Sequence, residues 1–495
     1  MALPTQRYIS YPDSPPMPVT EHYSPTEHAT LASCPSTMDR KQKHEEEATH
    51  HMHFKCVGKV QVTALPVGSA GIAVIKLRII TVMMSLRAVH AGSGYRYLLR
   101  SVATNDAAPD AEHADRLSEY YAAKGTPPGR WRGSGLAALN SEHLTNGEVI
   151  SADQMGALYG EGLHPDADQM MADGVNLKDC KLGRSYSVFT GGSIVLSDLA
   201  TREKDFRSEH GRRPEEDERS QLAQQAGLAH YADAHDGLQP TGAREVLAWV
   251  NAEQDRVRQA VAGYDLTFSP VKSVSVLWAL ADKDVSKIIA QAHHEAAAEA
   301  LGWVEDNALF TRLGVNGIQQ VKTNGVIASE FTHFDTRGGD PDLHSHILVS
   351  NKVQVADTPQ ARALGKVGEW KSIDGSQFFE HMQAASGVYN SALQQRLTEA
   401  LGVEFTPVSH GNDAEPVWEI KGVPRTLNDR FSSRRALAKP IFDRMVADYV
   451  DKHGKQPSQR VNYSLWQAAI LETRDAKKPA DSLDALREQW RSSAS

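Results

Sequence analysis

The sequence predicts a mixed α and β chain, with antiparallel strands carrying the chemistry and amphipathic helices covering them. Two observations predict it. A β-like run at 325–334 and an apolar run, Leu343 to Val349, flank a turn-rich segment with Gly338, Gly339 and Pro341. Farther on, 368–402 carries Phe378, Met382, Tyr389, Leu393, Leu397 and Leu401 at helical spacing, which predicts one long helix packed on that sheet.

At 495 residues and 40% hydrophobic content the chain can bury a large core. A net charge of −9 announces no polyanionic partner, so any nucleic-acid contact has to come from local basic patches. Cys34, Cys56 and Cys180 lack metal or disulfide spacing, which suits a reducing compartment such as the cytoplasm. The longest apolar run, 64–84, is broken by Lys76 and Arg78, so no membrane span is expected.

Residues 1–82 mix Pro, Ser and Thr with a patch of His44, His50, His51 and His53, a composition that predicts a disordered extension. A different register opens at Met83–Met84 with Ser85-Leu-Arg-Ala-Val-His90. Tyr95 and Tyr97 follow a glycine-rich lead, and Tyr120–Tyr121 precede a loop with Trp131 and three basic side chains. Such tyrosines are ordinarily packing residues. Beside a metal that polarises a phosphate, a tyrosine hydroxyl becomes a nucleophile that can form a phosphotyrosine. Residues 145–262 are helical and polar, and no chemistry is assigned to them.

In Tyr264-Asp-Leu-Thr-Phe268 a strand places Asp265 and Thr267 on one face. Ser269 and Pro270 then suit an N-cap and first helical position, which makes Lys272 and Ser273 either a seat for phosphate or part of a buried β–α junction whose lysine is merely exposed. On the strand 343–349, His344 and His346 share a face, and pairing with the run before it adds His333. Three imidazoles converging on one divalent ion leave coordination positions open for substrate. Such a site accepts several ions: Mg or Mn in use, with Zn or Ni able to occupy it. Segment 403–422 predicts a strand pair, and 421–460, with ten Lys/Arg against four Asp and the pair Arg434–Arg435, is the basic region. No phosphate-binding P-loop motif occurs.

Together, Asp265-Leu-Thr-Phe-Ser-Pro-Val-Lys-Ser-Val-Ser275, His333-x-Asp-x-Arg337 and Pro341-x-Leu-His-Ser-His346 resemble the MobF (TrwC/TraI) class of conjugative relaxases, in the His-hydrophobic-His endonuclease superfamily. The resemblance covers 83–440. It implies an α+β fold, a two-layer palm whose central antiparallel sheet carries the histidines, with helices on one face and helical C-terminal fingers over single-stranded DNA. It implies His333, His344 and His346 as metal ligands and Asp265 as the carboxylate assisting the nucleophile. Tyr95 matches the first catalytic tyrosine and Tyr120 the second, with Tyr97 and Tyr121 as stand-ins. Arg96 interrupts the family's usual contiguous pair, so Tyr95 and Tyr97 both stay open, with Tyr95 preferred. Trp131, Lys272, Arg434 and Arg435 are the expected DNA contacts. The long spacing between Trp131 and Asp265 implies an insertion at 165–260, and 441–495 is expected to be a helical linker toward a helicase this chain lacks.

The implied activity is site- and strand-specific nicking of plasmid transfer-origin DNA (hairpin plus nic site), with accessory relaxosome and coupling proteins as partners and passage into the recipient cell allowed. The rival readings are a replication initiator or transposase of the same superfamily, a DNA-binding protein without catalysis, and a zinc hydrolase of small substrates.

Overall fold

The computed structural model describes residues 84–99, 126–186, 190–257, 259–409, 416–473 and 482–494. The expected extension 1–82, together with Tyr120 and Tyr121, lies outside them. Among the described residues no helix is long and apolar enough to cross a membrane.

The strands are β1 (Met84–His90), β2 (Arg130–Arg132), β3 (Val261–Phe268), β4 (Phe310–Leu313), β5 (Gln319–Lys322), β6 (Ala328–Asp335), β7 (Pro341–Ser350), β8 (Val353–Gln354), β9 (Trp370–Lys371), β10 (Phe405–Val408) and β11 (Val417–Ile420). Five of them form one antiparallel sheet in the order β1-β3-β7-β6-β2. The pairs β4–β5, β8–β9 and β10–β11 are separate small ribbons. Most of β3 and the second half of β7, Ile347–Ser350, are buried on both faces, whereas the first half of β7 alternates buried and half-buried residues.

The helices include α1 (Arg96–Leu99), α2 (Ile194–His210), α3 (Glu216–Ala234), α4 (Ala243–Arg256), α5 (Lys272–Leu280), α6 (Lys283–Asn307), α7 (Gly375–Glu380), α8 (Met382–Leu401), α9 (Ser433–His453), α10 (Gln459–Glu472) and α11 (Leu483–Ala494), with further short helices between some of them. Alternation along the strands sorts the two faces of the sheet. One face sends Leu266, Phe268, Ile347 and Val349 into a core shared with α5, α6 and α8. The other face carries the histidines, and beside them Val89, Trp131, Phe331 and Leu348 join a second cluster with Leu98, Met155 and Tyr159. The palm with its main helical layer on one face is therefore the observed architecture.

Several expectations need correction. The helix after β3 begins at Lys272 with Val271 as its N-cap, so Ser269 and Pro270 stay outside it. The single helix expected over 368–402 is a short strand and two helices, divided at His381. A boundary after residue 440 falls inside α9, and α11 packs Trp490 against Trp278 of α5, so the last helix belongs to the core. Within the expected insertion, α2, α3 and α4 bury Val195, Leu196, Leu199, Ala226 and Val250 among themselves.

Candidate active site

The β6 and β7 register places His333 directly opposite His344, while Phe331 of β6 and Thr267 of β3 flank His346. The three imidazole centroids lie 5.0 to 5.2 Å apart, and one ring nitrogen from each lies within 4.8 Å of the other two. The turn joining the strands is tied by Thr336 N–H to Asp340 O at 2.9 Å and Gly339 N–H to Thr336 O at 2.9 Å. Gly339 adopts φ +81°, a conformation that side-chain-bearing residues rarely take.

Outer contacts orient the imidazoles. His344 donates from Nδ1 to the Asp342 carbonyl at 2.8 Å, and His346 donates from Nδ1 to the Asp265 carboxylate at 2.9 Å. Nε2 of each ring is then the nitrogen with a lone pair. Burial pushes the His344 pKa down, which favours the neutral, ligating form. The donor set suits a divalent cation held by three protein ligands with further positions open. Behind the sheet, Ser345, between His344 and His346 on β7, lies 3.0 Å from His293 Nε2, and His293 Nδ1 lies 2.8 Å from the Tyr389 hydroxyl. This buried chain fastens β7 to α6 and α8.

Asp265 is 3% exposed. Burial alone pushes its carboxyl up, but His346, the Tyr97 hydroxyl and the Arg87 charge outweigh that and hold it below its usual range. The Tyr97 hydroxyl donates to Asp265 Oδ2, and its ring meets that of His346 edge-on, with centroids 5.9 Å apart. Burial, then the Asp265 charge, pushes the Tyr97 pKa up. Tyr95 points elsewhere. It is 5% exposed, its ring packs 6.4 Å from Tyr159, and its hydroxyl faces Gly156. Tyr97 lies in the single turn of α1 and Tyr95 immediately before it, and positions two apart around a helical turn diverge by about 200°. The structure thus brings Tyr97, not the preferred Tyr95, to Asp265 and the histidines.

The expected DNA contacts divide in the same way. Trp131 is fully buried in β2, so its ring is core and offers no stacking surface. The glycines after it serve packing: a Cβ on Gly133 would stand 2.2 Å from the Val326 carbonyl, and one on Gly135 2.7 Å from that of Gly325. Lys272 donates to the Pro341 carbonyl at 2.8 Å, a strut onto the start of β7. The start of α5, expected to seat a phosphate, already holds an anion of this chain. Ser273 N–H donates to Glu419 Oε2 at 2.8 Å, and the Ser273 hydroxyl accepts from Ile420 N–H at 2.8 Å. Arg434 and Arg435 are exposed at the beginning of α9. That helix is moored to the histidine turn, because Asp340 Oδ2 accepts from Ser433 N–H at 2.9 Å and from its hydroxyl at 2.6 Å. Trp490 of α11 fastens the same turn, donating from Nε1 to the Gly339 carbonyl at 2.7 Å. Sequence patterns gave no sign of Glu419, Ser433 or Trp490, whose partners are at least 93 residues away.

The sequence profile described as TrwC relaxase matches residues 91–495, the whole of this site included. The chain belongs to the TrwC relaxase family. Two curated relatives are multifunctional conjugation proteins TraI: one from Escherichia coli, 34% identical over 231 residues, and one from strain K12, 31% identical over 235. These alignments cover 43% and 44% of this chain and 12% of each relative, so the chain spans about an eighth of their length. Among solved structures, metal-bound TrwC in complex with oriT DNA is 19% identical, with a TM-score of 0.44 over 83% of this chain and 97% of that one. TrwC complexed with a 27-mer comprising the recognition hairpin and the cleavage site is 20% identical, with a TM-score of 0.42 over the same shares. As a TrwC relaxase family member, the chain joins its three histidines, Asp265 and Tyr97 in one connected cluster.

Proposed function

We infer that this chain is a metal-dependent relaxase that nicks one strand of transfer-origin DNA, with Tyr97 as the nucleophile. The observation that carries this reading is the unbroken chain from the Tyr97 hydroxyl through Asp265 to His346, in a member of the TrwC relaxase family. His333, His344 and His346 would hold a divalent cation, which when bound neutralises charge developing on the phosphate oxygens. Asp265 accepts the Tyr97 proton as the phenolic oxygen bonds to phosphorus. The bond from phosphorus to the 3′ oxygen breaks, and that oxygen takes up a proton. The products are a free 3′-hydroxyl and a 5′-phosphotyrosine link. Because one ester replaces another, the reverse reaction rejoins the strand without ATP.

The proposal extends to Tyr120 as nucleophile in the second transfer that recircularises the strand, and to Arg434 and Arg435 as contacts to DNA phosphates. The natural substrate is a single strand bearing a hairpin and a nic site, as the complexes of TrwC with oriT DNA suggest. The test uses the full chain with Mn²⁺ and labelled single-stranded oligonucleotides tiling the DNA around its own gene. A covalent adduct whose DNA-linked peptide contains Tyr97 supports the reading. No adduct across the whole tiling, with metal bound, refutes it.

A further inference from the structure

Across the sheet from the ligand strands, edge strand β1 places Arg87 opposite Asp265. Antiparallel partners of this kind have Cβ atoms about 4.5–5.5 Å apart and project from the same face. Arg87 therefore shares the face of Tyr97's acid and of the histidine cluster. It is exposed, whereas Asp265 is buried. The obvious ion pair between them does not form. The Asp265 oxygens are already taken by the Tyr97 hydroxyl and His346 Nδ1, and no acid among the described residues pairs with Arg87. A guanidinium is thus left open to solvent at the rim of a site otherwise built of imidazoles, a phenol and a carboxylate.

The geometry points to Arg87 as the residue that holds a backbone phosphate of the bound strand on the β1 side of Tyr97, opposite the three histidines. This inference rests on the relaxase reading of the site. Three features support it. The planar fork of a guanidinium matches two non-bridging phosphate oxygens. Two strand spacings of about 4.8 Å separate β1 from β7, so a cation on β1 engages the DNA strand at a point distinct from the histidines. Ser85, two residues earlier on the same face and also exposed, adds a hydroxyl to that edge. The strand would then be held on both sides of the nucleophile, which fixes the line of attack on phosphorus.

The test measures how binding of a labelled single-stranded 25-mer to the full 495-residue chain depends on salt. Each single-strand phosphate neutralised contributes about 0.7 to the slope of log affinity against log salt. Arg87→Gln is expected to flatten the slope by about 0.7 and weaken binding roughly tenfold at low salt. Arg87→Lys, which keeps the charge and loses the fork, should retain the slope. An unchanged slope in Arg87→Gln overturns the assignment. So does a loss of Mn²⁺ affinity in that variant by titration calorimetry, because it would mean that Arg87 supports the metal cluster instead. Failure of the unaltered chain to bind any single strand would sink the relaxase reading itself and this inference with it, an outcome distinct from the other two.

Discussion

The hydroxyl of Tyr97 donates to the carboxylate of Asp265, a residue 168 positions farther along the chain that also accepts from His346. The proposed nucleophile, base and metal ligand are thereby linked in series by two hydrogen bonds.

Tyr97→Phe is expected to abolish the covalent DNA adduct, a loss on the order of a thousandfold or more, because it removes only the attacking oxygen. Tyr95→Phe should keep the adduct, since its hydroxyl faces Gly156 and not the site. Denaturing gels of protein with labelled oligonucleotide separate the two outcomes. An adduct that survives in Tyr97→Phe and vanishes in Tyr95→Phe would return the role to Tyr95.

Asp265→Asn should lose adduct formation and also weaken metal binding, by roughly 10- to 100-fold, because His346 loses the carboxylate that sets its tautomer. Calorimetric titration with Mn²⁺ measures the second effect without any DNA. Unchanged metal affinity would show that His346 is oriented by other contacts.

Asp340→Ala should loosen the start of α9, since its carboxylate accepts from both the backbone and the hydroxyl of Ser433. The expected cost is about 0.5–2 kcal/mol, as for loss of a helix cap. Ser433→Ala should cost less, and the double variant should cost less than the two single losses combined. Thermal unfolding of all three, with hydrogen exchange over 433–445, checks the coupling.

Lys352 is 3% exposed, and burial pushes its pKa down to about 8. Its amine donates to the Arg184 carbonyl and lies 4.4 Å from the centre of the Tyr186 ring. The folded chain therefore holds this proton less tightly than the unfolded chain, where a lysine titrates near 10.4. Between about pH 8 and 10 the unfolded state binds more protons, so this group makes stability rise with pH. Lys352→Met should remove that rise. Chemical denaturation at pH 7.5 and 9.5 compares the slopes, and equal slopes in both proteins would contradict the shift.

The convergence of the three histidines was legible in the sequence because a strand has a period of two. His344 and His346 had to share a face, and the short turn after His333 left one antiparallel register in easy reach. Asp265 was legible for the same reason. The choice between Tyr95 and Tyr97 was not, because it depends on how one helical turn rotates against a strand 168 residues away. Trp131 looked like a surface ring among glycines, yet those glycines are there to let β2 lie close against the start of β6. Lys272 and the start of α5 looked like a phosphate seat until Glu419 and the Pro341 carbonyl supplied their partners. Arg87 could have been found by continuing the alternation of 84–90 against that of 261–268, once those strands were known to be neighbours.

The mooring of the histidine turn has a consequence for biosynthesis. Trp490, which fastens Gly339, is made 151 residues after it. At about 5–20 residues per second the ribosome takes roughly 8 to 30 seconds to cover that distance. For nearly all of that interval, from His346 onward, all three histidines have been synthesised while α11, which fastens their turn, has not. A nascent chain therefore acquires the three histidines well before the helix that anchors their turn, and the centre is completed only after that delay.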